Sequence, residues 1–173
     1  MRLFVGLEPP PAFRTALSSL QSRLQAAVVA ARYYDPSNLH LTLAFIGDYP
    51  DAQPVLDALS TVRFTPFEIA LDGVGRFGEL WWAGLRDSAP LTAVARRVRR
   101  ALAEGGIPFD RKRFSPHITL IRRASRDAAG IRVAPAGMRV RAISLMRSDR
   151  GKNGMRYTEL GQVEAEQEGE TAP

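Results

Sequence analysis

Leu39-His40-Leu41-Thr42-Leu43-Ala44-Phe45-Ile46 and His117-Ile118-Thr119-Leu120-Ile121-Arg122 are the two stretches around which this chain organises itself. Each carries a His-x-Thr-x tetrapeptide, and together they use both histidines of a 173-residue sequence that has no cysteine. Alternation of apolar and polar residues is the period of a half-buried strand. Side chains two apart share a face, so His40 and Thr42 point one way while Leu39, Leu41 and Leu43 point into a core. The second stretch repeats the arrangement, and Arg122 is assigned to the face of His117 and Thr119. Each strand therefore offers an imidazole and a hydroxyl side by side.

An ordinary imidazole titrates near pH ~6.5, so a pair can hold one neutral base and one charged acid at neutrality. Phosphodiester hydrolysis needs that combination. One group takes a proton from water, the other gives one to the departing oxygen, and hydroxyls with a cation hold the phosphate oxygens. A lone His-x-Thr is ordinary strand composition, with the threonine present for its β-propensity. Two copies that consume every histidine argue instead for a paired site. Metal ligands are scarce: zinc takes about four, and there is no cysteine and no third histidine. The expectation is a metal-independent site with no cofactor.

Working outward, each motif ends a longer segment, and the two segments resemble one another. Leu3-Phe4-Val5-Gly6-Leu7 and Leu80-Trp81-Trp82-Ala83-Gly84-Leu85 both read as buried strands. Helical spacing follows each, in Phe13, Leu17, Leu20, Leu24 and Val28, then in Leu91, Val94, Val98 and Leu102. Asp87 or Ser88 is placed to cap the second helix, with Pro90 in its first turn. Gly6 precedes His40 by 34 positions and Gly84 precedes His117 by 33. Two hairpins complete the pattern. Phe67–Leu71 runs through the glycine-rich stretch 72–78 into the strand at Leu80. Val140–Met146 runs through 148–154 into 155–160. A short helix over about 51–60 is capped by Asp51. The fold class expected is α+β: two pseudo-symmetric lobes, each a small, mostly antiparallel sheet backed by helices, with the site in the cleft between them.

Composition sets the outer limits. The chain has the length of one domain, expected over residues 1–160. No apolar run reaches the roughly 18 residues of a membrane span. The first residues are too short for a signal peptide, so a cytoplasmic location is the default. Net charge is +6, while residues 161–173 hold Glu164, Glu166, Glu168 and Glu170 and no basic residue. The body is thus more basic than the whole, which suits a polyanionic partner such as RNA, although an arginine-rich composition serves solubility equally well. The acidic tail is expected to be disordered.

The two motifs, with Met1-Arg2-Leu3-Phe4-Val5 at the start, Asn38 and Gly47 around the first motif and Phe114-Ser115-Pro116 before the second, resemble the 2H phosphoesterase superfamily. Within it, the likeness is to the RNA 2′,3′-cyclic phosphodiesterases, also called 2′-5′ RNA ligases. The resemblance implies hydrolysis of an RNA 2′,3′-cyclic phosphate end to a 2′-phosphomonoester, and in some members joining of that end to a 5′-hydroxyl. It implies His40 and His117 as the catalytic pair, with His117 activating water and His40 protonating the 3′ oxygen. Thr42, Thr119 and Arg122 would bind phosphate. One departure is visible: Tyr33 or Tyr34 stands where the family usually has tryptophan.

Tyr33 and Phe114 are candidates for stacking on RNA bases, as is Phe45, although its parity with Leu39, Leu41 and Leu43 favours the core. Arg111, Lys112 and Arg113 either track an RNA backbone or form a solvated loop. Gly73, Gly75 and Gly78 lack the Lys-Ser/Thr of a phosphate-binding loop and read as turn residues. The expected partner is RNA with a 2′,3′-cyclic phosphate end, the protein being a monomer with no membrane contact. Two alternatives stay open: a non-catalytic module that binds RNA ends, or the same site acting on a small cyclic nucleotide or a 2′-5′ oligonucleotide.

Overall fold

The computed structural model describes residues 1–26, 31–124 and 131–167. Nine strands and three helices follow one another in the described residues. They are β1 (Arg2–Leu7), α1 (Pro11–Ala26), β2 (Arg32–Tyr33), β3 (Leu41–Asp48), α2 (Gln53–Leu59), β4 (Phe67–Phe77) and β5 (Leu80–Leu85). After these come α3 (Ala89–Glu104), β6 (His117–Arg122), β7 (Gly137–Val140), β8 (Ala142–Gly151) and β9 (Gly154–Glu164). The fold is α+β, with one sheet ordered β3-β1-β8-β9 and the other β2-β6-β5-β4-β7. All the pairings are antiparallel. Each motif strand lies beside the strand that opens its own segment, β3 against β1 and β6 against β5. The two motif strands meet across the junction of the sheets.

The helices form where the apolar spacing places them. Phe13, Leu17, Leu20 and Leu24 of α1 are buried, as are Leu91, Val94, Val98 and Leu102 of α3. Val28 lies outside the described residues. Ser88 is the cap of α3, its Oγ accepting from the Leu91 amide at 3.2 Å. Helix α2 is shorter than expected: Ala52 occupies the cap position, and the Asp51 carboxylate accepts the Gln53 amide at 3.0 Å.

Three expectations need correction. The glycine-rich stretches are strand rather than long loops: β4 continues to Phe77 and β8 to Gly151, leaving tight turns at Gly78-Glu79 and Lys152-Asn153. Gly75 serves packing instead of turning, since a Cβ there would come within 2.1 Å of the Trp82 ring. Val140 does not share a strand with Ile143. It ends β7 on the second sheet, and Arg141 carries the chain over to β8 on the first. Finally, the acidic tail starts later than residue 161, because residues 161–164 complete β9. The amides of Ala165 and Glu166 then donate to the carbonyls of Arg141 (2.7 Å) and Phe64 (2.8 Å). Paired backbone outweighs the polar side chains in deciding order there. Glu168 and Glu170 lie outside the described residues.

The two lobes are interlaced. Tyr33, which precedes the first motif in sequence, pairs through β2 with Ile121 of the second. Gln21 of α1 donates to the carbonyls of Tyr34 at 2.8 Å and Leu120 at 3.0 Å, both on the β6 side. Arg99 of α3 donates in the other direction, through Nε to the Leu43 carbonyl on β3 at 3.1 Å. Each helix therefore braces the other segment's motif strand.

Candidate active site

Both motif strands are irregular at the same place. Gly6 faces Thr42 but Val5 faces Ala44, so Leu43 is an extra residue on β3. Trp82 faces Thr119 but Trp81 faces Ile121, so Leu120 is its counterpart on β6. A bulge shifts the alternation by one, and side chains beyond it change face. The signature in each case is two consecutive buried residues, Leu43-Ala44 and Leu120-Ile121.

This shift decides two site residues. Arg122 stands five positions after His117, so an unbroken strand would turn it away from His117 and Thr119. The bulge at Leu120 brings it back into the cleft. Phe45 stands five positions after His40, and strict alternation would bury it with Leu41 and Leu43. The bulge at Leu43 turns it onto the cleft wall instead, which corrects the core assignment.

The cleft has a volume of about 800 Å³ and takes in His40, Thr42, His117, Thr119 and Arg122 together. Tyr33 lines it as well, beside Tyr34. Phe114 does not: its ring is packed against the core and lies beneath Arg99, 5.6 Å from the guanidinium carbon. Arg111, Lys112 and Arg113 are also absent from the lining. Arg111 covers Phe109, and the Lys112 carbonyl accepts from Arg99 Nη1 at 2.7 Å.

The two histidines are held in the same way. His40 Nδ1 lies 2.8 Å from the Asn38 carbonyl, and His117 Nδ1 lies 2.6 Å from the Ser115 carbonyl. A carbonyl only accepts, so Nδ1 carries the proton in both rings and Nε2 is left to the cleft. The surroundings differ. His40 packs in a three-ring cluster, with Phe4 stacked on it at 4.4 Å, Tyr157 edge-on at 4.9 Å, and those two rings 5.2 Å from each other. That burial lowers its pKa below the ordinary imidazole value, and the charges of Arg14 and His117 push the same way. Its hydrogen bond to Asn38 opposes them. His117 meets Phe77 edge-on at 5.6 Å and Trp82 at 5.9 Å, and Phe77 is 53% exposed.

Arg122 is fixed by Tyr34. Its guanidinium lies over the tyrosine ring at 5.5 Å, and Nε donates to the phenol oxygen. One of its five N–H donors is thereby spent on orientation, and the fork is aimed into the cleft. Among the described residues, the lining holds four arginines and no carboxylate. The described residues also contain no group of three or more His, Asp or Glu able to hold a metal ion.

Sequence reading missed Phe4, Tyr157, Arg2 and Arg150. For β1 the signal was present: with Leu3, Val5 and Leu7 facing the core, Arg2 and Phe4 fall on the opposite face. For Tyr157 and Arg150 it was absent, since only the pairing of Arg2 with Ser148, and of Ser148 with Tyr157, brings β8 and β9 beside the first motif.

Residues 9–152 match the 2′-5′ RNA ligase superfamily. The chain belongs to that family. Among curated relatives, the RNA 2′,3′-cyclic phosphodiesterase of Archaeoglobus fulgidus is 31% identical over 140 residues, 76% of this chain and 78% of that one. The protein of the same name from Geobacillus stearothermophilus is 30% identical over 134 residues, 72% of this chain but 43% of that one. Escherichia coli LigT, solved in complex with 3′-AMP, superposes with a TM-score of 0.81 at 27% identity, over 95% of this chain and 96% of that one. This member of the superfamily is accordingly an enzyme. No helix among its described residues is long and apolar enough to cross a membrane.

Proposed function

We propose that this family member hydrolyses RNA 2′,3′-cyclic phosphate ends to 2′-phosphomonoesters, as a monomer and with no metal in the reaction. The observation that carries the reading is the matched tethering of both imidazoles, Nδ1 to carbonyl, which leaves two Nε2 atoms to one cleft with no carboxylate among its described lining residues. His117 takes a proton from water as its oxygen attacks phosphorus. The P–O3′ bond breaks, and His40 gives its proton to the departing O3′. Thr42, Thr119 and Arg122 hold the non-bridging oxygens, where charge develops. Burial favours the neutral form of His40, and a bound phosphate anion favours its charged form. Proton donation is thereby tied to occupancy. A 5′-hydroxyl in the place of water would form a 2′-5′ linkage through the same transfers.

The test is incubation, with EDTA present, of a short RNA ending in a 2′,3′-cyclic phosphate with wild type, His40→Ala and His117→Ala. The expected result is a 2′-phosphate end from wild type and a loss of about 10²–10⁴ in rate in each variant. RNA binding without turnover by wild type would refute the hydrolytic reading in favour of an end-binding module.

A further inference from the structure

The wall beside His40 repeats, with its parts exchanged, the arginine-on-ring pair beside His117. On β6 the strand supplies the cation: Arg122, three positions after Thr119, lies over Tyr34. On β3 the strand supplies the ring: Phe45, three positions after Thr42, carries Arg2 of β1 with its guanidinium 5.1 Å from the ring centre. Three residues of strand span roughly 10 Å, so each pair stands some way along its wall from the paired histidines. Arg150 shares the Arg2 face. Arg2 is opposite Ser148, and Arg150 lies two residues further along β8. Asp149, between them, points to the other face, where it accepts from Arg147 Nε at 2.8 Å. Arg2 and Arg150 therefore line the cleft with no carboxylate among its described residues to neutralise them.

Two guanidinium groups, one of them held over a ring, suit a phosphate held by a planar fork. At a cyclic-phosphate end, one phosphate is at the reacting position, and the remaining phosphates of the strand are its backbone diesters. We propose that Arg2 and Arg150 form a second anion subsite for the phosphodiester on the 5′ side of the terminal nucleotide, with Phe45 as the positioning residue that holds Arg2. This rests on the reading of the cleft as an RNA-end site. It makes the preferred substrate an oligonucleotide instead of a cyclic mononucleotide.

The experiment compares kcat/KM for a 2′,3′-cyclic mononucleotide and for a dinucleotide with the same cyclic end, in wild type, Arg2→Ala and Arg150→Ala. Affinity for the corresponding 2′-phosphate products, with and without the extra nucleotide, is measured alongside. Wild type should favour the dinucleotide about tenfold or more. Each variant should cut that ratio severalfold, mainly through KM, and flatten the salt dependence of dinucleotide binding. An unchanged ratio, or an equal loss on both substrates, overturns the subsite and returns these arginines to the solvent or to the reacting phosphate. If wild type turns over neither substrate, the hydrolytic reading fails, and the product affinities still decide the subsite by the same ratio.

Discussion

Gln21 Nε2 lies 3.0 Å from the carbonyl oxygen of Leu120, the extra residue in the second motif strand. The same carbonyl also accepts from the Tyr34 amide at 3.1 Å, so the oxygen at the bulge is shared between a backbone donor and a helix side chain. Replacement by an apolar residue of similar size should expose what the helix contributes to that junction. Gln21→Leu is expected to lower stability by about 1–3 kcal/mol, because the hydrogen bonds from Gln21 to the Leu120 and Tyr34 carbonyls are both lost while Leu120 keeps only the Tyr34 amide. Urea unfolding checks this. Activity should fall as well, since the bulge decides the face on which Arg122 emerges. A variant with wild-type stability and wild-type kcat would show that the bulge holds itself.

The packing of His40 against Phe4 and Tyr157 predicts a shifted pH profile. For kcat/KM, the productive free enzyme has one imidazole charged and one neutral, whichever is the base. Below the lower of the two titrations both are charged and activity falls. Burial lowers the His40 titration, so the acid limb should lie below the ordinary value of 6.5. Tyr157→Ala removes one of the two rings packed on the imidazole, weakens the desolvation and should move that limb to higher pH. Activity at pH 6, relative to that at the optimum, should therefore drop. A limb that stays in place would assign the depression to Phe4 or to neighbouring charges.

The division of labour between the histidines is open to a chemical test. A substrate with sulfur in place of the 3′ bridging oxygen has a leaving group that needs little protonation. On that substrate His40→Ala should recover most of its lost rate, and His117→Ala should stay impaired by about 10²-fold or more. The opposite pattern would exchange the roles of acid and base.

Much of this was legible in the sequence because strands of period two and helices of period 3.6 were written plainly in it. The His-x-Thr pairs, the leucine stripe of α1 and the Ser88 cap all follow local rules that hold in the structure. What was not legible depended on register. A single extra residue at Leu43 or Leu120 leaves no mark in an apolar run, yet it decides where Phe45 and Arg122 point. The crossover at Arg141 was hidden for a similar reason: Val140 and Ile143 are both good strand residues, and only their partners differ. Phe114 was misplaced because an aromatic residue before a motif looks alike whether it faces a ligand or lies beneath an arginine.

The pairing of Arg2 with Ser148 has a consequence for how the protein is made. At a synthesis rate of about 5–20 residues per second, β1 waits on the order of ten seconds for β8 after it has emerged. During that time β3 can cover one of its edges, while the other stays open to any strand nearby, including that of a second nascent chain. Tyr157, which closes over His40, arrives later still. The fold therefore places its greatest risk of mispairing before the cleft exists, and ties the maturation of the acid-base pair to a strand that leaves the ribosome after both motifs.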